Sequence, residues 1–278
     1  MSRTVTNTAP APWSRQRLLT VLTSLIALLA LAGGVAGYYS LRVILNHGSA
    51  ATAVAVTSHG MARRDAIAAA PMLAVDPDAM YPATPTAQVA PRFVVPAGRG
   101  LGPDAVPTGY PRTPAGAVAQ LAAIGTAVFS TMSMPLVTSI YRDWATPGGV
   151  GAGAWPLTDD VQQFLAGAQA TSTMPAGITI TAIPSAAMVK GTDGPNWVLA
   201  CVLWQITEAG GQPVALGYGY CERMQWVTAP STAGRGRWEI APGEPAAPAP
   251  NTWPGTAIAA QAGWQTWDAP PPAAGGSR

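Results

Sequence analysis

The residues best suited to chemistry in this sequence are tyrosines and acids placed at alternating positions. Tyr218, Tyr220 and Glu222 take every second place in one strand-like run, and Asp143 lies in an earlier helix-like run. A carboxylate base beside a tyrosine donor is a pairing that moves protons in enzyme pockets. Alternating aromatic residues are also the ordinary pattern of an antiparallel core strand. We therefore expect these side chains to be structural, and we predict no catalytic residue.

The sequence contains two cysteines, Cys201 and Cys221, and both fall in strand-like runs. Two cysteines do not make a four-cysteine zinc site, and no histidine lies near them in sequence. If a hairpin turn centres on residue 211, Cys201 lies directly opposite Cys221, which predicts a cross-strand disulfide. Two separate buried thiols are the alternative. The same register pairs Trp204 with Tyr218 and Val202 with Tyr220.

Other motifs that bind cofactors or metals are missing from the sequence. It has no phosphate-binding loop, dinucleotide glycine fingerprint, zinc spacing or nucleophile elbow. Its histidines, His47 and His59, both precede the predicted globular domain. Charged residues make up 10% of the chain, and Lys190 is its one lysine, so no basic cluster marks a nucleic-acid surface. We therefore predict a protein that is not an enzyme, holds no cofactor or metal and does not bind nucleic acid directly.

A membrane anchor is predicted over residues 18–41, which carry no charged side chain and are long enough to cross a bilayer. Three arginines precede this segment, which places the N-terminus in the cytoplasm and the rest of the chain outside. Arg42, Arg63 and Arg64 on the far side reduce this asymmetry. A cleaved signal peptide is the alternative, but its apolar region is usually about 7–15 residues and this one is longer.

The remainder of the chain divides by composition. Residues 71–112 are rich in Pro and Gly, which predicts an extended spacer. Within it, residues 92–96 could form a short strand on a neighbouring segment. We predict these segments: a cytoplasmic tail at 1–17, the transmembrane helix at 18–41, a juxtamembrane helical stalk at 42–70, a linker at 71–112, an extracytoplasmic α+β domain with a C-terminal extension at 113–267, and a disordered tail at 268–278.

Three helices open the predicted domain. Thr113 with Pro114 is a helix N-cap followed by a favoured first residue, and Ser133 caps a second helix. Thr158 is predicted to cap a third helix, with Asp159 and Asp160 in its first turn, where the helix dipole favours acids.

From Gly177 onward the side chains alternate with a period of two, which is typical of β-strands. Strands are predicted before and after a break at Pro184, over 196–207 and 213–228 as a hairpin, and over 237–240. Helices followed by an antiparallel meander indicate an α+β fold with helices on one face of a curved sheet. This order of elements resembles the cone-like fold of the nuclear-transport-factor-two superfamily.

The C-terminal extension contains three closely spaced tryptophans, Trp253, Trp264 and Trp267. Three clustered aromatic side chains are unusual on a free surface, whereas scattered ones are ordinary. We expect them to dock on the domain, and contact with a partner is the alternative.

Several strings along the chain resemble a family of actinobacterial membrane proteins that are carried in clusters for integrative conjugative elements. This resemblance implies a role in conjugal DNA transfer and defines no catalytic residue. The strings are YPRTPAGAVAQLAAI from Tyr110, PLVTSIYRDWATPGG from Pro135, Val189–Gly191, the cysteine-bearing hairpin, RMQW from Arg223, RWEIAPG from Arg237 and WPGT from Trp253.

The predicted architecture is also similar to the single-pass scaffold subunits of type IV secretion systems, with a nuclear-transport-factor-two-like outer domain. That resemblance implies a membrane-anchored scaffold that forms homo-oligomers and binds other channel proteins. One alternative is a small-ligand-binding or pocket enzyme domain, whose cavity would be lined by Trp204, Tyr218 and Tyr220 around a buried carboxylate. The other is a structural protein that faces the cell wall.

Overall fold

The computed structural model describes residues 60–87, 90–210, 214–228 and 236–269. They belong to one unit that begins at Ser58. The predicted cytoplasmic tail, the transmembrane helix at 18–41 and both histidines lie outside the described residues, as does the tail from residue 270.

The described residues contain five α-helices and eight strands. The helices are α1 (Met61–Ala69), α2 (Pro114–Thr131), α3 (Met134–Trp144), α4 (Pro156–Gly167) and α5 (Ala257–Gln261). The strands are β1 (Arg92–Val94), β2 (Gly100–Leu101), β3 (Pro107–Thr108), β4 (Thr179–Thr192), β5 (Trp197–Ala209), β6 (Val214–Val227), β7 (Arg237–Ile240) and β8 (Gln265–Asp268).

Six of the strands form one sheet in the order β1-β8-β4-β5-β6-β7. All neighbours in this sheet are antiparallel except β1 and β8, which are parallel. Strands β2 and β3 make a separate two-stranded ladder. The prediction of an α+β fold, with helices followed by a mostly antiparallel sheet, is confirmed.

Helix α2 is the main helix of the core and lies against β4 and β5. The Thr113 hydroxyl accepts the Gly116 N–H at 3.1 Å and Pro114 occupies the first turn, as predicted. Within the described residues, α2 alone is long and apolar enough to cross a membrane, but 61% of its span-length window is buried inside the domain. Its hydrophobicity is therefore that of a core helix.

Trp204 fills the space between α2 and the sheet. Its side chain is fully buried, its Nε1 donates to Thr126 Oγ1 at 3.1 Å, and its ring meets Phe129 edge to face at 5.3 Å. Gly125 makes this approach possible, because a Cβ at that position would overlap the Trp204 ring. Trp204 thus packs the core and does not line a cavity.

The β5–β6 hairpin has the predicted register. Cys201 faces Cys221, Val202 faces Tyr220 and Trp204 faces Tyr218. The two cysteines are bonded in the structure. The disulfide is buried beneath the C-terminal extension, in a cluster that includes Met188 and Trp264.

Two local predictions need correction. Strand β4 does not break at Pro184; it continues from Thr179 to Thr192, with a register shift between Pro184 and Ala186. A bulge of this kind lets proline, which has no N–H, sit in a strand. Helix α4 is not capped by Thr158: it begins at Pro156 with the buried Trp155 before it, and Thr158 lies buried in the first turn.

The segment 71–112, predicted as an extended spacer, packs along the domain. Its β1 pairs with β8, and Val95 and Val106 are buried. The carbonyl of Pro111 accepts the Trp238 Nε1–H at 2.9 Å. The folded unit therefore begins well before the predicted boundary at 113, because these prolines restrict the backbone but leave side chains and carbonyls free to contact the domain.

Both ends of the described chain also dock on this unit. The predicted stalk contributes α1, whose Ala68 is fully buried. Trp264 is buried and donates from Nε1 to the Pro250 carbonyl at 3.2 Å, and the Trp253 N–H donates to Ala79 at 2.6 Å. Trp267 lies in β8 and packs against the main core, so all three C-terminal tryptophans dock on the domain.

Replacing Gly125 by alanine should lower the free energy of unfolding by about 1–3 kcal/mol, because the added methyl group overpacks the α2–Trp204 contact. Gly167→Ala, also in a helix, is the matched control, since no atom lies within 4 Å of its Cβ position. Urea unfolding of the full chain in detergent, followed by tryptophan fluorescence, measures both variants. Equal effects at the two positions would contradict the described packing.

Reducing the disulfide should lower the free energy of unfolding by about 3 kcal/mol, because the bridge closes a loop with a sequence separation of 20. The double variant Cys201→Ala/Cys221→Ala should show the same loss and no further response to reductant. Non-reducing mass spectrometry of exported protein should find a mass lower by two hydrogens than after reduction. Two free thiols there would refute the bridge.

Candidate functional site

A network of carboxyl and phenol groups forms where β6 meets the start of α4. Strand geometry places Tyr218, Tyr220 and Glu222 on one face of β6, because alternate residues share a face. Trp155, immediately before α4, and Asp160, in its first half, approach this face from the helical layer. The network therefore joins segments about 60 residues apart in the sequence.

Glu222 is the centre of the network and is only 5% exposed. Its Oε2 accepts the Tyr220 hydroxyl at 2.5 Å and the Trp155 Nε1–H at 2.8 Å. Its Oε1 accepts the backbone N–H of Arg223 at 2.9 Å. Both carboxyl oxygens are thus engaged by the protein itself, so this side chain stabilises the site and does not face a ligand.

Burial controls the protonation of this pair. It raises the pKa of Glu222, and the hydrogen bonds from Tyr220, Trp155 and the Arg223 N–H act in the opposite direction. Burial also raises the pKa of Tyr220 well above its ordinary value, as does the nearby Glu222 charge. The phenol consequently keeps its proton and remains the donor in the hydrogen bond to Glu222.

A second carboxyl–phenol pair lies beside the first and closer to solvent. The Tyr218 hydroxyl donates a short hydrogen bond to Asp160 Oδ2. Burial raises the pKa of Asp160 and Asp159 adds to that shift, against the hydrogen bond from Tyr218, which lowers it. The pKa of Tyr218 is raised well above its usual range, first by burial and then by Asp160. Asp160 is half-buried, so it is the carboxyl of the network that is open to solvent.

An open cleft of about 400 Å³ lies next to this pair. One wall comes from α4, the floor from β6, and the other wall from the Pro- and Ala-rich chain after β7. The floor is a strand edge, because β7 pairs only with residues 224–227 of β6. Asn251 Oδ1 accepts one N–H of that edge, from Gly219, at 2.8 Å. The lining residues are Pro156, Asp160, Tyr218, Gly219, Tyr220, Cys221, Pro245, Ala246, Ala247, Pro248, Ala249 and Asn251.

The structure separates the side chains that the sequence grouped into one possible pocket. Tyr218 and Tyr220 line the cleft, whereas Trp204 lies in the core behind them. Asp143 is engaged elsewhere: its carboxylate accepts a hydrogen bond from Arg142 Nε at 3.0 Å, and this bond lowers the pKa of Asp143. The possible Asp143–tyrosine pairing is therefore not present in the structure.

Sequence reasoning did not find two members of the network. Asp160 was interpreted as a helix-dipole acid, and Trp155 was not singled out. No local pattern marks either one, because their partners lie 58 and 67 residues away in the chain.

The network differs from a metal centre. Among residues 60–87, 90–210, 214–228 and 236–269, no three His, Cys, Asp or Glu side chains group closely enough to hold an ion.

Comparison of the chain with protein-family models, with curated proteins and with solved structures finds no match in any of the three. The function is therefore argued from the geometry of this chain and from its sequence pattern.

Glu222 should make the protein less stable as the pH rises. Its folded-state pKa is raised above the ordinary value of 4.5, so the folded state holds the proton more tightly than the unfolded state. The free energy of unfolding then falls as pH rises from the unfolded pKa through the folded one. Glu222→Gln should flatten this slope, measured by urea unfolding at a series of pH values.

Asp160→Asn should change the slope in the same direction, because burial raises that pKa as well. Glu208→Gln is the matched control, since it removes one carboxyl at the far end of β5. A wild-type stability that rises with pH across the same window, or a control that flattens the slope equally, would contradict the assignment to Glu222.

Proposed function

We propose that this chain is a membrane-anchored, non-enzymatic scaffold of a conjugative DNA-transfer apparatus of the type IV secretion kind. Its N-terminus is cytoplasmic, residues 18–41 cross the membrane, and the domain stands outside. Its partners are other channel proteins and further copies of itself. The observation that supports this best is the rigid attachment of α1, the segment nearest the anchor, to the sheet.

Two ion pairs with a buried member hold α1 in place. Arg64 Nε meets Asp193 Oδ2 at 2.7 Å, and the Asp193 side chain is 3% exposed. On the other side, Asp65 Oδ1 meets Arg223 Nη1 at 2.7 Å, and the Arg223 side chain is 3% exposed. Removing one partner of such a pair leaves a buried charge uncompensated, which is strongly destabilising. The start of the domain is therefore fixed and does not swing as a free stalk.

The same attachment limits how far the domain extends from the membrane. Residues 71–112 pack on the domain, so they do not act as a spacer. Only residues 42–59 separate the predicted anchor from Gly60, which precedes α1, and even fully extended they reach at most roughly 60 Å. A rigid domain on a short tether suits a protein that positions other components at a membrane.

The helical layer and the sheet also suit the proposed cone of the nuclear-transport-factor-two type. Helices α2, α3 and α4 precede the long strands, and α2 covers β4 and β5. A sheet covered in this way provides a stable platform whose edges and second face bear additional segments. In this proposal the cone serves as a framework, with its interior packed by Trp204 and Phe129.

One observation favours the alternative of a small-ligand-binding or pocket enzyme domain. Asp160 and Tyr218 lie at the cleft, and the pKa of this carboxyl is raised by burial. A carboxyl and a phenol at the edge of a cleft are polar groups that a small ligand could contact, and groups with shifted pKa values cluster at functional sites.

A conjugation assay separates the two functions. Deleting the gene in a donor strain should abolish transfer, and the full chain should restore it. A double variant Asp160→Asn/Tyr218→Phe should restore transfer as well, because the scaffold does not use the cleft chemically. A chain whose residues 1–41 are replaced by a cleavable export signal should fail, because it lacks the anchor.

Loss of transfer in a stably folded Asp160→Asn/Tyr218→Phe chain would favour the pocket function. Pull-down after cross-linking and membrane solubilisation is a second test, because it shows which proteins the chain binds. Recovery of the protein alone, with no transfer or secretion component, would contradict the scaffold.

A further inference from the structure

The chain enters the domain at an end of the sheet that is rich in arginine. The N–H of Gly60, the first described residue, donates to Asp193 Oδ2 at 3.1 Å in the turn between β4 and β5. Arg63 and Arg64 follow at the start of α1. Their side chains donate to Thr192 and Asp193, where β4 leads into the connection to β5. Arg112 reaches it from the helical side and donates to Asn196 Oδ1 at 2.5 Å. Three guanidinium groups thus converge where the chain arrives from its predicted anchor.

The positive charge at this end exceeds the nearby negative charge. Asp193 serves both Arg63, at 3.8 Å, and Arg64, at 2.7 Å. The described partner of Arg112 is the neutral amide of Asn196, and the Arg112 side chain is exposed. The next arginine at this end, Arg237, opens β7 opposite Val227 and is balanced by Glu239 at 2.7 Å. Asp65, also on α1, is paired with Arg223 at 2.7 Å. Among the described residues, the arginines at this end therefore outnumber the acids.

An apolar side chain lies among these arginines. Met61 begins α1 next to Gly60 and is 51% exposed. Exposed apolar side chains beside arginines are typical of protein surfaces that lie at the level of lipid headgroups. The opposite end of the sheet, at the β5–β6 connection, instead has Glu208. The two ends of the sheet are thus chemically different.

We propose that this basic end, comprising Met61, Arg63, Arg64 and Arg112, rests on the anionic lipid headgroups of the membrane that anchors the chain. The inference builds on the proposed anchor and adds an orientation: the β4–β5 turn faces the bilayer and the β5–β6 connection faces away. Residues 42–59 are the only chain between the predicted span and Gly60. They join the domain at this end, which is why we assign the lipid surface to it. Guanidinium groups on phosphate oxygens supply the attraction.

Fluorescence quenching in reconstituted bilayers tests the contact on the full chain. A fluorophore is attached through Met61→Cys, and the native cysteines do not react because they form a buried disulfide. Val214→Cys is the matched control, since Val214 is 41% exposed at the opposite end of β6. Lipids with a nitroxide on the headgroup should quench the label at 61 several-fold more strongly than the label at 214. This difference should be larger in bilayers containing phosphatidylglycerol than in phosphatidylcholine alone.

Substitution of the arginines tests the role of charge. Arg63→Gln/Arg112→Gln should remove the dependence on anionic lipid, and added salt should do the same in the parent chain. Arg112→Gln alone, on an exposed side chain, should reduce it and provides a second test if the double variant unfolds.

The outcomes separate this contact from the anchor itself. Resistance to alkaline carbonate extraction reports whether the chain is membrane-embedded. An embedded chain with equal quenching at 61 and 214 overturns the orientation. Equal quenching at 61 in anionic and zwitterionic bilayers overturns the headgroup contact. A chain that carbonate extracts overturns the anchor, and with it the proposed function.

Discussion

Strand β5 is buried on both faces, and the rest of the domain is arranged to cover it. Every residue from Trp197 to Trp204 is buried. Val198, Ala200, Val202 and Trp204 belong to the core beneath the helices, while Cys201 and Leu203 belong to the cluster on the opposite face. A strand that is apolar on both faces is stable only between two layers, since each exposed apolar side chain would lose about 1.5–3 kcal/mol of burial energy.

The second layer comes from parts of the chain on both sides of the helical segment. Ala68 of α1 packs with Trp197 and Leu199, and Ala259 and Trp264 pack with the disulfide. Helix α1 and the C-terminal extension thus cover the second face of β5. The layer that completes the hydrophobic core also fixes α1, the first described helix, to the sheet.

The carboxyl–phenol network lies where the start of α4 packs on β6. Glu222 and Tyr220 are buried on β6, and their cost of desolvation is offset by hydrogen bonds from Trp155 and from backbone. Such a satisfied network stabilises one packing of α4 on the sheet. Of its two carboxyls, Asp160 lines the cleft together with Tyr218 and Tyr220, whereas Glu222 is enclosed by its hydrogen-bond partners.

The sequence by itself determined the features that depend on near neighbours in the chain. The caps at Thr113 and Ser133 were predictable because a cap bonds within its own helical turn. The Cys201–Cys221 pairing followed from the length of one hairpin. Only the tertiary structure decided the docking of 71–112, the Asp160–Tyr218 pair and the Arg64–Asp193 pair, the last joining residues 129 apart. These contacts depend on which surfaces remain uncovered after the sheet forms. No local pattern encodes that, although the uninterrupted apolar run of β5 already required a second layer.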